Sequence, residues 1–187
     1  MLDHTTAHQL QQEFAQGRVF AYPTEAVFGL GCDPDNESAV IELLRLKQRS
    51  MTKGLILVAR TYSQLLAYVD DNAIPMDRRT EIFSSWPGPN TWLLPASKTA
   101  PRWITGGSAL IAVRVSHHPV IQALCELFQK PLVSTSANIS TYPAAVTSDE
   151  VTAQFADKVI LIAGELGGAL KPSQIRDGNT GKVIREN

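Results

Sequence analysis

Cysteine is scarce in this chain: 187 residues contain only Cys32 and Cys125, without the CxxC spacing of zinc or redox sites. We therefore expect two free thiols in a reducing compartment rather than a structural disulfide. An excess of charge of one sign is also missing, because 17 basic and 18 acidic side chains nearly cancel. The net charge thus indicates neither a nucleic-acid nor a membrane partner, and any anion site must come from local clustering.

Long apolar runs are absent as well, so the sequence predicts no membrane span. Residues 1–5 show no basic segment followed by an apolar stretch, and we expect no secretory signal and a cytoplasmic protein. No GxxxxGK[ST] phosphate loop and no GxSxG elbow occur. Gly29-Leu30-Gly31 fails as a dinucleotide fingerprint because Pro34 occupies the third glycine position. The four histidines form no ligand pattern with the cysteines, and we expect no metal held by protein side chains.

What is present is an alternation of short apolar strands and amphipathic helices. Six helices are expected. The first runs from a cap at Thr5 or Thr6 to residue 17, and the second from a cap at Asn36 or Ser38 to residue 49. The others cover residues 63–69, 77–83, 119–128 and 148–155, the last capped by Ser148. Strands are expected over 19–22, 55–58, 91–94, 110–115, 132–134 and 159–162, with a closing pair at 175–176 and 183–184 and a loop over 23–34. Several strand pairs are too close in sequence for a helical crossover, which predicts an α/β fold with a twisted, mixed sheet flanked by helices.

Polar and basic side chains gather at three places where a strand or helix is expected to end. These are Tyr22-Pro23-Thr24-Glu25, then Lys47 and Arg49 with Lys53, and then Ser134-Thr135-Ser136-Ala137-Asn138. Strand ends in α/β proteins are where ligands usually bind. Simpler explanations stay open, because basic residues favour the negative end of a helix dipole and turns are commonly rich in Ser and Asn.

Arg114 interrupts the apolar strand Ile111-Ala112-Val113-Arg114-Val115. A guanidinium in such surroundings needs a carboxylate or phosphate partner. That partner is either an internal Asp or Glu or a bound ligand, and the sequence favours neither.

Six motifs occur together and in a fixed order along the chain. They are Tyr22-Pro23-Thr24-Glu25, Phe28-Gly29-Leu30-Gly31, Lys47-x-Arg49, Pro87-Gly88-Pro89-x-Thr91, Ala112-Val113-Arg114 and Ser134-Thr135-Ser136-Ala137-Asn138. With this spacing the chain resembles the YrdC-like family of bacterial threonylcarbamoyl-adenylate synthases. The resemblance implies one domain over residues 7–187 with a concave, basic ligand-binding surface. It also implies a reaction in which L-threonine, bicarbonate and ATP give threonylcarbamoyl-adenylate and diphosphate.

The resemblance assigns roles by matching motifs. It implies ATP binding by Lys47, Arg49, Ser136, Asn138 and Arg185, with Lys47 and Arg49 as catalytic charges, and threonine binding by Thr24, Arg114 and Ser173. Mg²⁺ is expected to accompany the triphosphate. Two departures stand out. Many relatives carry a histidine in the strand after the KxR motif, where this chain has Leu57-Val58, and the glycine that usually follows SANxS is Thr141.

Further expectations concern partners. The resemblance implies downstream proteins that transfer the threonylcarbamoyl group to a tRNA adenosine beside the anticodon. Direct binding of tRNA or other RNA, if any, is expected to be weak and salt-dependent. The main rival function is a non-catalytic RNA-binding or ribosome-maturation protein that uses the same basic cluster, although no RRM, KH or double-stranded RNA-binding signature occurs.

Overall fold

The computed structural model describes residues 4–186, which form six α-helices and nine β-strands. The helices are α1 (His4–Ala15), α2 (Glu37–Lys47), α3 (Met76–Ser84), α4 (Arg102–Thr105), α5 (Pro119–Phe128) and α6 (Ser148–Phe155). The strands are β1 (Phe20–Pro23), β2 (Phe28–Gly31), β3 (Ile56–Ala59), β4 (Asn90–Pro95), β5 (Leu110–Val115), β6 (Leu132–Ser136), β7 (Ile160–Leu161), β8 (Gln174–Asp177) and β9 (Val183–Arg185).

All nine strands join one mixed sheet in the order β7-β1-β2-β6-β3-β5-β4-β8-β9. The pairs β1/β7, β3/β5 and β4/β8 are parallel, and the other neighbours are antiparallel. The predicted α/β domain with a twisted, mixed sheet flanked by helices is therefore confirmed.

The core has two parts because successive residues of a strand point to opposite faces of the sheet. In β1, Phe20 and Tyr22 pack with α1 and α5, where the rings of Phe14 and Phe128 stack with centroids 3.9 Å apart. Ala21, the residue between them, packs in the other cluster, which holds buried side chains of α2, α3, α4 and α6. Each of these buried apolar side chains contributes on the order of 1.5–3 kcal/mol to folding.

Helix α2 carries the basic motif to the sheet. Its predicted cap is confirmed at Asn36, whose Oδ1 accepts a hydrogen bond from the Ala39 amide at 3.1 Å. The helix ends at Gln48, which adopts the left-handed conformation with φ 51°. The chain therefore turns away from the helix axis at Gln48, and Arg49 lies outside the helix.

Strand β2 corrects the loop expected over residues 23–34. Glycine alternates with large residues in Phe28-Gly29-Leu30-Gly31, and glycine is depleted in strands, so the sequence favoured a loop. The strand needs these glycines because its neighbours approach closely. A Cβ on Gly31 would lie 2.2 Å from the Val133 carbonyl oxygen of β6 and 2.7 Å from the Tyr22 hydroxyl.

Other differences are smaller. Residues 63–69 form a 3-10 turn at Tyr62–Leu65 rather than a helix, and the short helix α4 was not expected. Helix α6 is capped by Thr147 instead of Ser148, while α1 already includes Thr5 and Thr6. The closing strand pair is confirmed as β8 and β9.

Candidate active site

A cleft of about 570 Å³ opens on the sheet. Side chains of β3, β4, β5 and β8 form its base. Its walls are the β1–β2 turn, the end of β6, the residues after α2, and residues 162–173 between β7 and β8, here called the strap. The cleft is therefore built where the motif-bearing segments converge.

Seven of the eight predicted site residues line this cleft: Thr24, Arg49, Arg114, Ser136, Asn138, Ser173 and Arg185. They come from positions spread over about 160 residues of sequence. Convergence of so many separately matched positions on one surface is not required by the fold, and it favours a common ligand site.

Lys47 is the exception. It is buried, with 3% of its surface exposed, and is absent from the cleft lining. Its ammonium donates to the carbonyl of Ser136, to the carbonyl of Asn138 at 2.9 Å and to Oδ1 of Asn138 at 3.2 Å. An ammonium has three donors, so these contacts satisfy it. Lys47 thus fixes the loop that follows β6, and the direct contact with ATP expected of it stays a prediction.

Burial explains the electrostatics of Lys47. Desolvation, together with the charge of Arg49, lowers its pKa to about 8. A buried ammonium is tolerated only when oxygen atoms replace its hydration shell, and the residue 136–138 loop supplies them.

Arg49 and Arg185 form a basic pair in the cleft. Burial and, next, the charge of Arg185 lower the pKa of Arg49. Arg49 donates from Nη2 to the Gly54 carbonyl at 3.1 Å, but its buried Nε–H has no partner. A buried donor without an acceptor costs on the order of 1–3 kcal/mol, which an anionic oxygen in the cleft would relieve.

The loop after β6 is preorganised by its own side chains. Ser136 Oγ donates to Asn138 Oδ1 at 2.7 Å, and Asn138 Nδ2 donates to the Tyr142 carbonyl at 2.9 Å. Since Asn138 Oδ1 also accepts from Lys47, the amide of Asn138 is held on both ends. Ser136 stays exposed at the cleft surface, where its lone pairs face solvent.

Arg114 has an internal carboxylate partner and also lines the cleft. Its Nη1 donates to Glu25 Oε2 at 3.0 Å, and the two side chains are only 9% and 15% exposed. The sequence left an internal acid and a bound ligand as alternatives, and the geometry permits both at once. A guanidinium carries five N–H donors, so one carboxylate does not exhaust it.

Thr24 and Ser173 line the cleft from two different segments, the β1–β2 turn and the strap. Thr24 Oγ1 donates to the Val27 carbonyl at 2.7 Å inside the β1–β2 turn. Ser173 shares a 2.8 Å hydrogen bond between its Oγ and Thr91 Oγ1, and its carbonyl accepts from Arg185 at 3.0 Å. The strap thus links the Arg185 end of the cleft to strand β4.

Sequence reasoning missed the roles of Glu25 and Lys171, both of which line the cleft. Glu25 is part of the Tyr22-Pro23-Thr24-Glu25 motif, but the sequence assigned it no function. Lys171 directly precedes Pro172-Ser173 in the strap, which has no regular sequence pattern. Five basic side chains and one carboxylate line the cleft in the part of the chain that the structure describes. The histidine expected from relatives is replaced at Leu57 and Val58, both fully buried, so this chain offers no imidazole there.

Two features of residues 4–186 concern metal ions and membranes. No three His, Cys, Asp or Glu side chains in this stretch lie where they could hold a metal ion together. None of its helices has the length and hydropathy needed to cross a bilayer.

A family model covering Sua5, YciO and YrdC, described as telomere recombination, matches residues 12–187. The chain belongs to this family. The resemblance drawn from the six motifs is thereby confirmed.

Relatives with assigned functions are highly similar. The chain is 66% identical over 175 residues to a threonylcarbamoyl-AMP synthase of Pseudoalteromonas atlantica, covering 94% of each chain. It is 56% identical over 169 residues to a threonylcarbamoyl-AMP synthase of Escherichia coli, covering 90% of this chain and 89% of that one.

Solved structures agree on the fold. P. abyssi Sua5 complexed with L-threonine superposes with a TM-score of 0.83 at 32% identity, over 95% of this chain and 52% of that chain. This chain therefore spans about half the length of that Sua5 protein. E. coli YciO superposes with a TM-score of 0.82 at 26% identity, over 100% of this chain and 91% of that chain.

Proposed function

We propose that the protein forms threonylcarbamoyl-adenylate and diphosphate from L-threonine, bicarbonate and ATP. The observation that carries this proposal is the convergence of seven predicted site residues on one cleft whose basic side chains outnumber its single described carboxylate. Relatives at 56–66% identity that are named threonylcarbamoyl-AMP synthases support it.

The triphosphate is assigned to the end of the cleft that holds Arg49 and Arg185. Both guanidiniums line the cleft, the charge of Arg185 helps to lower the pKa of Arg49, and the Nε–H of Arg49 has no hydrogen-bond partner. Ser136 and Asn138 add neutral polar groups beside them. Mg²⁺ would enter as part of the nucleotide, since Glu25, the carboxylate of the described lining, already has partners on both oxygens.

Threonine is assigned to Arg114, Thr24 and Ser173, of which Ser173 also contacts Arg185 through its carbonyl. A guanidinium matches a carboxylate with two parallel hydrogen bonds, a geometry that lysine lacks. The P. abyssi Sua5 structure contains L-threonine, and its superposition over 95% of this chain supports a threonine site within the shared fold.

The chemistry then needs alignment more than acid–base catalysis. Bicarbonate and the threonine amine give a carbamate and water, and a carbamate oxygen then attacks the α-phosphorus while the bond to the diphosphate oxygen breaks. Two anions must meet, so basic side chains that neutralise the developing charge on diphosphate lower the barrier. The product is a reactive mixed anhydride, which fits delivery to tRNA threonylcarbamoyl-transfer proteins in the cytoplasm.

One assay tests the proposal. Purified protein is incubated with ATP, bicarbonate and labelled threonine, and the products are examined for a threonine-containing adenylate formed with equimolar diphosphate. The adenylate should disappear when bicarbonate or threonine is omitted. Arg45→Ala serves as a control because Arg45 is an exposed arginine of α2 outside the cleft lining. A protein that only binds RNA would retain RNA and form no adenylate.

A further inference from the structure

Glu25 is the one carboxylate among the described residues that line the cleft, and both of its oxygens are engaged. Oε2 accepts from Arg114 Nη1 at 3.0 Å, and Oε1 accepts from Ser116 Oγ at 2.7 Å. The side chain is 15% exposed, so the ion pair lies at the cleft wall and not on the outer surface. An ion pair with this burial is far less screened by solvent than a surface pair.

The groups around Glu25 are themselves fixed. Ser116 Oγ accepts from the His118 amide at 3.0 Å, which leaves its proton to be donated to Glu25. The strap holds the backbone of the same turn, because the Ala169 amide donates to the Glu25 carbonyl at 2.8 Å and the Gly167 amide donates to the Thr24 carbonyl at 3.0 Å. These contacts therefore restrict movement of the Glu25 carboxylate.

We propose that Glu25 is a positioning residue that holds the Arg114 guanidinium with its remaining donors toward the threonine carboxylate. This inference rests on the proposed function and deepens it, since it assigns threonine recognition to a pair instead of a single arginine. Arg114 lies on β5 with 8% of its surface exposed, so it needs charge compensation when the cleft is empty. Glu25 supplies that compensation without occupying all five donors.

A general-base role for Glu25 fits the geometry less well. Both oxygens already accept hydrogen bonds from the protein, and protonation of the carboxylate would weaken its ion pair with Arg114. Burial would raise the pKa of Glu25, but the Arg114 charge and the Ser116 hydroxyl outweigh it and lower the pKa below its usual value. A carboxylate with a lowered pKa is a weak base at neutral pH.

The experiment measures threonine and ATP dependence of diphosphate release in Glu25→Ala and Glu25→Gln. Loss of a charge-assisted contact that orients a guanidinium predicts a threonine KM about tenfold higher in Glu25→Ala, with the ATP KM changed less than about twofold. Glu25→Gln keeps an acceptor oxygen in place and should raise the threonine KM only about threefold. If the alanine variant does not fold, the glutamine variant decides.

A double-variant comparison separates positioning from general damage to the fold. In an Arg114→Lys background the guanidinium is gone, so either change at Glu25 should alter the threonine KM by less than about twofold. Asp33→Asn is the matched control: Asp33 forms an ion pair with Lys130 at 2.7 Å, is 16% exposed, and lies outside the cleft lining. It should leave the threonine KM unchanged.

Three outcomes would overturn the inference. An unchanged threonine KM in folded Glu25→Gln and Glu25→Ala would leave Glu25 without a role in recognition. A lower threonine KM would mean that Glu25 competes with the substrate for Arg114. Equal effects of the Glu25 changes in the wild-type and Arg114→Lys backgrounds would mean that Glu25 does not act through Arg114. If the wild-type protein forms no adenylate at all, the proposed function fails, and the inference that rests on it fails too.

Discussion

The two ends of the cleft hold their arginines differently. Arg114 is paired with Glu25 at 3.0 Å, whereas burial and then the charge of Arg185 lower the pKa of Arg49, whose Nε has no partner. The Arg114 end is therefore electrostatically compensated without substrate. The Arg49 end holds positive charge and an unpaired N–H donor that a bound anion would compensate. The same residue type thus serves recognition at one end and anion neutralisation at the other, according to what surrounds it.

The largest effect is expected from Arg114→Ala. The change leaves the Glu25 carboxylate without its cation, and breaking a buried pair costs about 3–5 kcal/mol. Because Glu25 borders the cleft and water reaches it, we expect about 3 kcal/mol, measured by denaturant unfolding without ligands. In the folded fraction, kcat/KM for threonine should fall about 100-fold. A large loss of stability with an unaltered threonine requirement would remove Arg114 from the substrate site.

Lys47→Ala and Arg49→Ala should separate fold from function within one motif. Removing Lys47 leaves the Asn138 carbonyl without its donor and takes one of two donors from the Ser136 carbonyl and from Asn138 Oδ1, so the free energy of unfolding should fall by about 2 kcal/mol. Removing Arg49 deletes a guanidinium whose Nε is already unpartnered, so stability should change little while the ATP KM rises about tenfold.

The measurements are denaturant unfolding for stability and initial rates at varied ATP for the KM. Arg45→Ala again serves as the control, with neither quantity changed beyond about 0.5 kcal/mol or twofold. If Lys47→Ala leaves stability unchanged but abolishes ATP binding, the structural role assigned to Lys47 is wrong. The result would then support the direct contact between Lys47 and ATP that the motif predicts.

The pairing at the Arg114 end also predicts acid sensitivity. The folded-state pKa of Glu25 is lowered, so its contribution to stability is present above the pKa of an unfolded glutamate, about 4.3. That contribution is lost as the pH falls through the lower folded-state pKa. The difference in unfolding free energy between wild type and Glu25→Gln should therefore be constant from pH 7 to pH 5 and shrink below that. A constant difference down to pH 3 would contradict the pairing.

The sequence predicted the fold better than the contacts within the site. Strands such as 110–115 and the cap at Asn36 follow from local patterns, and the structure contains both. Strand β2 was missed because its glycines serve close packing against Tyr22 and β6, a requirement set by tertiary contacts. Lys47 illustrates the same limit at the site. Its charge is visible in sequence, but only the structure shows that backbone oxygens 89 and 91 positions away satisfy it.

The smallest effect concerns Thr141, which lies three residues after Asn138. Thr141 follows the loop of Ser136 and Asn138 and has φ 80°, in the left-handed region where β-branched residues are disfavoured. It occupies the position where relatives usually carry glycine. The strain of a side chain there is about 1–2 kcal/mol, and the entropy that glycine loses on folding offsets about 0.5–1 kcal/mol. Thr141→Gly should therefore stabilise the protein by about 0.5 kcal/mol, or roughly 1–2 °C in Tm.

Gln129→Gly is the matched control for Thr141→Gly, because Gln129 caps α5 with φ 55° and does not line the cleft. Glutamine is not β-branched, so its strain is smaller and the gain in Tm should be smaller too. Thr141 is exposed, and the amide of Asn138 is held by Lys47 and by the Tyr142 carbonyl, so relieving the strain should leave the ATP KM within about twofold. A rise in the ATP KM together with the gain in stability would show that the strained residue helps to shape the loop of Ser136 and Asn138. A fall in Tm would show instead that the Thr141 side chain makes a contact that offsets the backbone strain, and residue 141 would then not be a site of net strain.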